Sequence, residues 1–208
     1  MSPLLLPHRA RYALLDRGGV AAGQEHLEVS RRGTGYLLTS KLRTTYPAAV
    51  EVELTWELDA ALATRLLYIH SRDAWGEEFE VEATVTGNGM LAHRAAPGGP
   101  TQVELGWGSN AELDYVSAGF AAVIMARSFH GNAMERHVDA VEFGVEDLVP
   151  AIIPRLYRRL PGGAGGGAAA ECITAGTGHR ARVEVAPGGA LLAYEGLLAL
   201  EELDAPTK

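Results

Sequence analysis

Between Val50 and Leu58 the apolar side chains Val50, Val52, Leu54, Trp56 and Leu58 alternate strictly with Glu51, Glu53, Thr55 and Glu57. Alternate residues of a strand point to opposite faces, so this segment has one dry face and one wet face. A helix would scatter the same residues around its axis. The pattern recurs on both sides of this segment, and each interruption falls on glycine or on Tyr46-Pro47. Glycine reaches positive φ without strain and proline cannot donate to a ladder, so these breaks predict the turns of a β-meander.

Strands are expected over 11–16, 24–31, 36–46 and 50–58, and a short loop and a strand over 60–72. Phe79, Val81, Ala83 and Val85 alternate with glutamate and threonine up to Gly87-Asn88-Gly89, a strong hairpin signal leading into 90–95. Pro97-Gly98-Gly99-Pro100 turns the chain into 101–107. From Glu112 to Phe129 alternation stops, and Leu113, Val116, Phe120, Val123 and Ile124 recur at helical spacing. A helix over 113–126 is predicted, with a bent strand pair as the competing reading because Gly119 costs about 1 kcal/mol in a helix interior. Strands follow at 138–143 and 151–160. Pro154, Arg155, Arg158 and Arg159 suggest an edge position for the second of these. The Gly/Ala run over 161–170 reads as a flexible loop, and 171–175, 180–186 and 190–200 close the meander.

The chain has 208 residues, a formal net charge of -8 and one cysteine, Cys172. One domain over 1–208 is expected. The acidic balance argues against a nucleic-acid partner, which would need clustered Lys and Arg. A single cysteine permits no internal disulfide, and its expected place is the core. Leu4, Leu5 and Leu6 before Pro7 are too short a run for a secretory signal, which needs roughly 7 to 15 apolar residues. No run approaches the roughly 20 residues of a membrane-spanning helix, so no transmembrane segment and a cytoplasmic location are predicted.

Catalytic signatures are absent from the sequence: no nucleophile elbow, phosphate loop, dinucleotide fingerprint or His-Glu-x-x-His occurs. No cofactor and no metal site are therefore expected. What stands out is apolar pairs that place leucine on both faces of the sheet: Leu14-Leu15, Leu37-Leu38, Leu66-Leu67, Leu191-Leu192 and Leu197-Leu198. A sheet with apolar residues on both faces must cover both, and curling into a half-barrel with the 113–129 segment in its mouth does so. If side chains do not fill the interior, it becomes a pocket for an apolar molecule.

The segment Glu112 to Arg127 followed by His137 to Arg159, and the ending Arg182-Val183-Glu184-Val185 to Leu192-Ala193-Tyr194-Glu195-Gly196-Leu197, resemble the bacterial glycolipid-binding family. The fold of that family is similar to the outer-membrane lipoprotein carriers, a curved antiparallel half-barrel with an apolar concave face. Glu195 stands where the family more often has proline, and the signal peptide of true lipoprotein carriers is not expected from the opening residues.

Together these features predict a mainly β protein of about ten or eleven strands in one curved antiparallel sheet, a half-barrel with a helix at its concave face. The expected function is non-enzymatic binding of a lipid, glycolipid or other apolar small molecule. Trp56, Tyr68, Trp107, Phe120, Ile124 and Met125 are the expected lining, with Tyr36 and Trp75 near the mouth, because aromatic rings and methionine offer large adaptable apolar area. One alternative is a hydrolase acting on an apolar or glycosidic substrate through Asp114 or Asp139 with His130 or His137. Another is a structural module that self-associates as a homodimer.

Overall fold

In a computed structural model the described residues are 5–16, 18–45, 49–129, 133–145 and 147–204. They form one continuous sheet of fifteen strands and one α-helix. The first eight strands, β1 (His8–Leu15), β2 (Ala21–Arg32), β3 (Gly35–Thr44), β4 (Val50–Leu58), β5 (Thr64–Asp73), β6 (Glu78–Thr86), β7 (Gly89–Ala95) and β8 (Thr101–Gly106), run as an unbroken meander. A second run comprises β9 (Ala111–Asp114), β10 (Glu135–Phe143), β11 (Pro150–Leu160), β12 (Ala168–Thr174), β13 (Arg180–Val185), β14 (Leu191–Tyr194) and β15 (Leu198–Asp204). The runs join where β1 pairs with β15, so that β8 and β9 become the two margins of the sheet. Every pair is antiparallel except β9 with β10.

The sheet is curled but not closed. Arg94 of β7 donates through Nε to the Asp147 carbonyl in the β10–β11 turn (2.6 Å), which draws the two margins towards each other. Helix α1 (Ala118–Ser128) lies within the curl and is buried on nearly all sides. A helix that is apolar all round requires such enclosure. Trp56 of β4 stacks on Phe120 with ring centroids 4.2 Å apart, and its indole N–H donates to Thr64 Oγ1 (3.1 Å).

The helix is pinned by one buried carboxylate. Glu25, wholly buried on β2, accepts from Ser40 Oγ (2.6 Å), from Ser117 Oγ and from the backbone N–H of Ala118 (2.8 Å). Ser117 is the N-cap, so Glu25 neutralises the donor-rich first turn of α1. Burial pushes the Glu25 carboxyl above its ordinary pKa, and these three donors oppose that rise. Gly119 has a steric role. A Cβ there would lie 3.1 Å from Leu38 Cδ2 and 3.4 Å from Leu27 Cδ1, so glycine lets the helix approach the sheet.

Several boundaries differ from expectation. Fifteen strands replace ten or eleven, partly because 190–200 holds two strands, β14 and β15, separated by a turn at Gly196 (φ 71°). The helix expected over 113–126 begins at Ala118, since Ala111–Asp114 pairs with β10 instead. Strand β11 is internal, not an edge. Its proline is tolerated because the Pro154 carbonyl accepts from Ala175 N (2.9 Å), which turns the proline nitrogen to the β12 side beyond the last pair, Arg155 with Thr174. Within the Gly/Ala run, Ala168–Ala170 begins β12. Pro47, expected to end β3, lies outside the described residues.

Replacing Glu25 by alanine strands Ser40, Ser117 and the Ala118 N–H without an acceptor, a loss of about 3 kcal/mol, whereas glutamine can still pair with all three and should lose about 1 kcal/mol. Urea unfolding of the two variants checks this: equal midpoints would show that the carboxylate does not anchor the helix.

Candidate functional site

Residues at the ends of β1, β3, β12 and β14, at the start of β4 and just after β10 gather at one end of the curled sheet. Between them opens a cleft of about 810 Å³. Its wall is apolar: Leu14, Val50, Val116, Val145 and Leu197 face into it. The polar contributors include Asp16, His179, Tyr194 and Glu195, with Arg155 among the lining residues. The Tyr194-Glu195-Gly196-Leu197 turn is closed by a hydrogen bond from Leu197 N to the Tyr194 carbonyl (2.9 Å), and Glu195 Oε2 accepts from Arg182 N (2.9 Å). This fixes Leu197 and Tyr194 on the cleft wall.

Arg155 is the centre of the site's electrostatics. Ile153, Arg155, Tyr157 and Arg159 share one face of β11 by period-2 alternation, so the guanidinium points inward. Its side chain is only 11% exposed. One terminal nitrogen pairs with Asp114 of β9 and the other with Glu142 of β10. Burial is the largest single influence and works to lower the Arg155 pKa, but Asp114 and the other acidic groups around it together outweigh it and keep the guanidinium protonated. Asp114 is wholly buried, and desolvation lifts its carboxyl to about 6 despite the pull of Arg155. Tyr194 donates from its hydroxyl to Cys172 Sγ (3.4 Å), and burial raises the Cys172 thiol, so this cysteine is unreactive. Arg155 Nε is buried without a protein hydrogen-bond partner.

A second buried cluster serves the fold. Glu112, almost fully buried on β9, pairs with Arg127 of α1 and Arg136 of β10, and so ties the C-terminal part of the helix to the sheet. Burial raises its carboxyl, and the two arginines oppose that rise.

The side chains expected to line a ligand site are placed elsewhere than in this cleft. Trp56, Phe120, Ile124, Met125 and Tyr36 are buried in the core, and Arg31 covers the Tyr36 ring at 4.1 Å. Tyr68 lies on the outer face, where its hydroxyl meets Glu80 Oε1 (3.1 Å). Trp107 is half-buried after β8, at the opposite end from the cleft, and Trp75 is 85% exposed in the β5–β6 turn. Of the aspartate and histidine set, His137 and Asp139 share one face of β10, two residues apart. Asp114 is held inward by Arg155, while Asp139 and His137 are exposed, and His130 lies outside the described residues. No group of three or more His, Cys, Asp or Glu able to hold a metal occurs among the described residues. Arg155, Tyr194, Val116 and Val145 were missed as lining residues. For Arg155 the alternation through Ile153 and Tyr157 was the available signal, but proline and charge masked it.

No protein-family model matches the chain, and no curated protein matches its sequence. Two solved structures share the fold. A DUF1089 family protein from Pseudomonas aeruginosa superposes with a TM-score of 0.66 at 17% identity, over 86% of this chain and 92% of that one. A beta-barrel-like protein of the domain of unknown function DUF1849 from Brucella abortus gives 0.65 at 11% identity, over 99% and 100%. The curled, mainly antiparallel sheet with one helix is thus similar to known β-barrel-like folds, and no helix among the described residues is long and apolar enough to cross a membrane.

Because the folded-state pKa of Asp114, about 6, exceeds its ordinary value of 3.8, the native state holds this proton more tightly than the unfolded chain. The resulting stabilisation is fully present below the lower value and is lost as pH rises through the upper one. The stability difference between wild type and Asp114→Asn should therefore shift against wild type from about pH 4 to about pH 6.5 and then level off. Chemical denaturation across that range checks it: a difference independent of pH would show that Asp114 is not perturbed.

Proposed function

We propose that this protein binds an apolar or amphiphilic small molecule, of the lipid class, in the cleft at the turn-lined end of its sheet, without transforming it chemically. One observation carries the reading: a cleft of about 810 Å³ opens beside the packed core, with Leu14, Val50, Val116, Val145 and Leu197 on its wall. Apolar area of this kind gains about 25 cal/mol for each Å² removed from water, so an alkyl chain laid along it displaces water favourably. A volume of several hundred Å³ is typical of small-molecule sites. Binding is favoured over hydrolysis because Asp114 is engaged with Arg155, and Asp139 and His137 are exposed on β10 and do not line the cleft. The resemblance of the Tyr194 to Leu197 turn to the glycolipid-binding family agrees with a site at this place.

The test is binding of the neutral apolar fluorophore N-phenyl-1-naphthylamine, together with native mass spectrometry of protein purified without detergent. Wild type should bind the dye with micromolar affinity and release a co-purified apolar species on denaturation. Leu197→Glu, which puts a charge on the cleft wall at a half-buried position against the core, should weaken dye binding by roughly ten-fold in protein that circular dichroism shows to be folded. Dye binding unchanged in Leu197→Glu would place the ligand elsewhere, and no binding at all by folded wild type would sink the reading.

A further inference from the structure

The two margins of the sheet end differently. All four residues of β9 are buried, whereas no residue of β8 is. Register and hydrogen bonding fix which way the β8 backbone points. Trp107 N donates to the Asn88 carbonyl (2.7 Å), and hydrogen-bonded pairs alternate along an antiparallel ladder, so Thr101, Val103 and Leu105 bond to Arg94, Ala92 and Met90 of β7. The N–H and C=O groups of Gln102, Glu104 and Gly106 therefore point away from the sheet, and all three residues are exposed. The tie from Arg94 to the Asp147 carbonyl lies at the Thr101 end of the strand, short of this row. Sheets commonly blunt such an edge with lysine, proline or a bulge. Gln102 to Gly106 has none of these: its pairing with β7 runs without a register shift, and Glu104 is its one charge. On the inner face Val103 and Leu105 sit beside Ala92 and Met90, which are buried, yet they are only half-buried themselves. Unpaired backbone and uncovered apolar area thus coincide on one strand.

We infer that β8 pairs antiparallel with β8 of a second copy of this chain, about a two-fold axis at Val103. Only outward-facing residues can exchange backbone bonds, and side-chain chemistry separates the symmetric registers that remain. An axis at Glu104 sets that carboxylate against its own copy, and like charges directly opposite are destabilising. An axis at Gln102 sets Glu104 against Pro100, which has no N–H to give. An axis at Leu105 offers the carboxylate only Gly106 and runs past the end of the strand. With the axis at Val103, Gln102 of each copy faces Glu104 of the other, and each such pair exchanges two backbone bonds. The Gln102 amide, which donates to Glu104 Oε1 of its own chain (3.1 Å), then has the second copy's carboxylate within reach. On the inner face Val103 meets its own copy and Leu105 meets Thr101, which covers the half-buried stripe. Both copies spend the same edge, so the assembly closes as a dimer. The strands run in opposite directions, so the two clefts open at opposite ends, and the pairing holds whether or not the cleft binds a ligand.

The test is sedimentation velocity of the full chain from about 1 to about 100 μM, where wild type should show a reversible dimer. Glu104→Pro removes an outward N–H and no bond to β7, so it should leave the circular dichroism unchanged and weaken the dimer by about ten-fold or more. Gln102→Glu sets carboxylates opposite each other on both sides of the axis and should also weaken it by about ten-fold. The register has its own readout. Facing residues of a non-hydrogen-bonded pair lie about 4.5 Å apart at Cα, so Val103→Cys should form a disulfide-linked dimer under mild oxidation and Leu105→Cys should not. The native Cys172 is buried and does not compete. Wild type that stays monomeric throughout the range would overturn the inference and leave the edge to a strand of some other chain. A dimer unmoved by Gln102→Glu and by folded Glu104→Pro would overturn it too, as would cross-linking through Leu105→Cys in place of Val103→Cys.

Discussion

The interior of this molecule is organised around a single carboxylate. Glu25 sits wholly inside a curled sheet with no cation beside it, which would be costly for an isolated charge. It is tolerated because the first turn of α1 presents unpaired donors at that place, and Ser40 and Ser117 add two more. The need is mutual, since a helix start buried against a sheet requires an acceptor for its orphan N–H groups. With its N-terminus fixed there, Phe120 meets Trp56 and Gly119 passes close to Leu27 and Leu38. The enclosed helix then fills the middle of the half-barrel, and the cleft opens at the end where β1, β12 and β14 terminate.

That division separates two kinds of buried charge. Glu25 and the Glu112–Arg127–Arg136 group fasten α1 at its two ends, and their partners are complete. The Asp114–Arg155–Glu142 group lies at the cleft instead, and there a donor is left over on Arg155. Buried polar groups that satisfy one another specify a fold, whereas an incomplete set beside an opening is where a ligand can contribute. The same β9 supplies Glu112 to the first role and Asp114 to the second, two residues apart on one face.

Much of the architecture was legible from alternation. The hairpins through β8, the half-barrel and an interior helix in the segment after residue 112 follow from period-2 runs, turn glycines and a stretch of helical spacing. In the leucine pairs, one member faces the core while the other is only half-buried: Leu38, Leu67, Leu191 and Leu198 are buried beside Leu37, Leu66, Leu192 and Leu197. The doubling that suggested a two-sided sheet thus reflects in part the bulges at Leu14–Leu15 and Glu57–Leu58. The place of the cleft was not legible, because large aromatic side chains suit a packed core as well as a pocket. Trp56 and Phe120 spend their area on each other.

By itself the sequence determined the strands, their wet and dry faces and most of their turns, since side-chain alternation and φ preference act within a few residues. Only the tertiary structure decided which strands became margins, that Pro154 lies inside the sheet, and that Arg155 meets two carboxylates from other strands. It also decided that the cleft lies among the turns and not under the aromatic residues. These outcomes depend on contacts between segments far apart in the chain, such as Arg11 with Glu201, 190 residues apart across the β1–β15 seam, and no local pattern encodes where such segments meet.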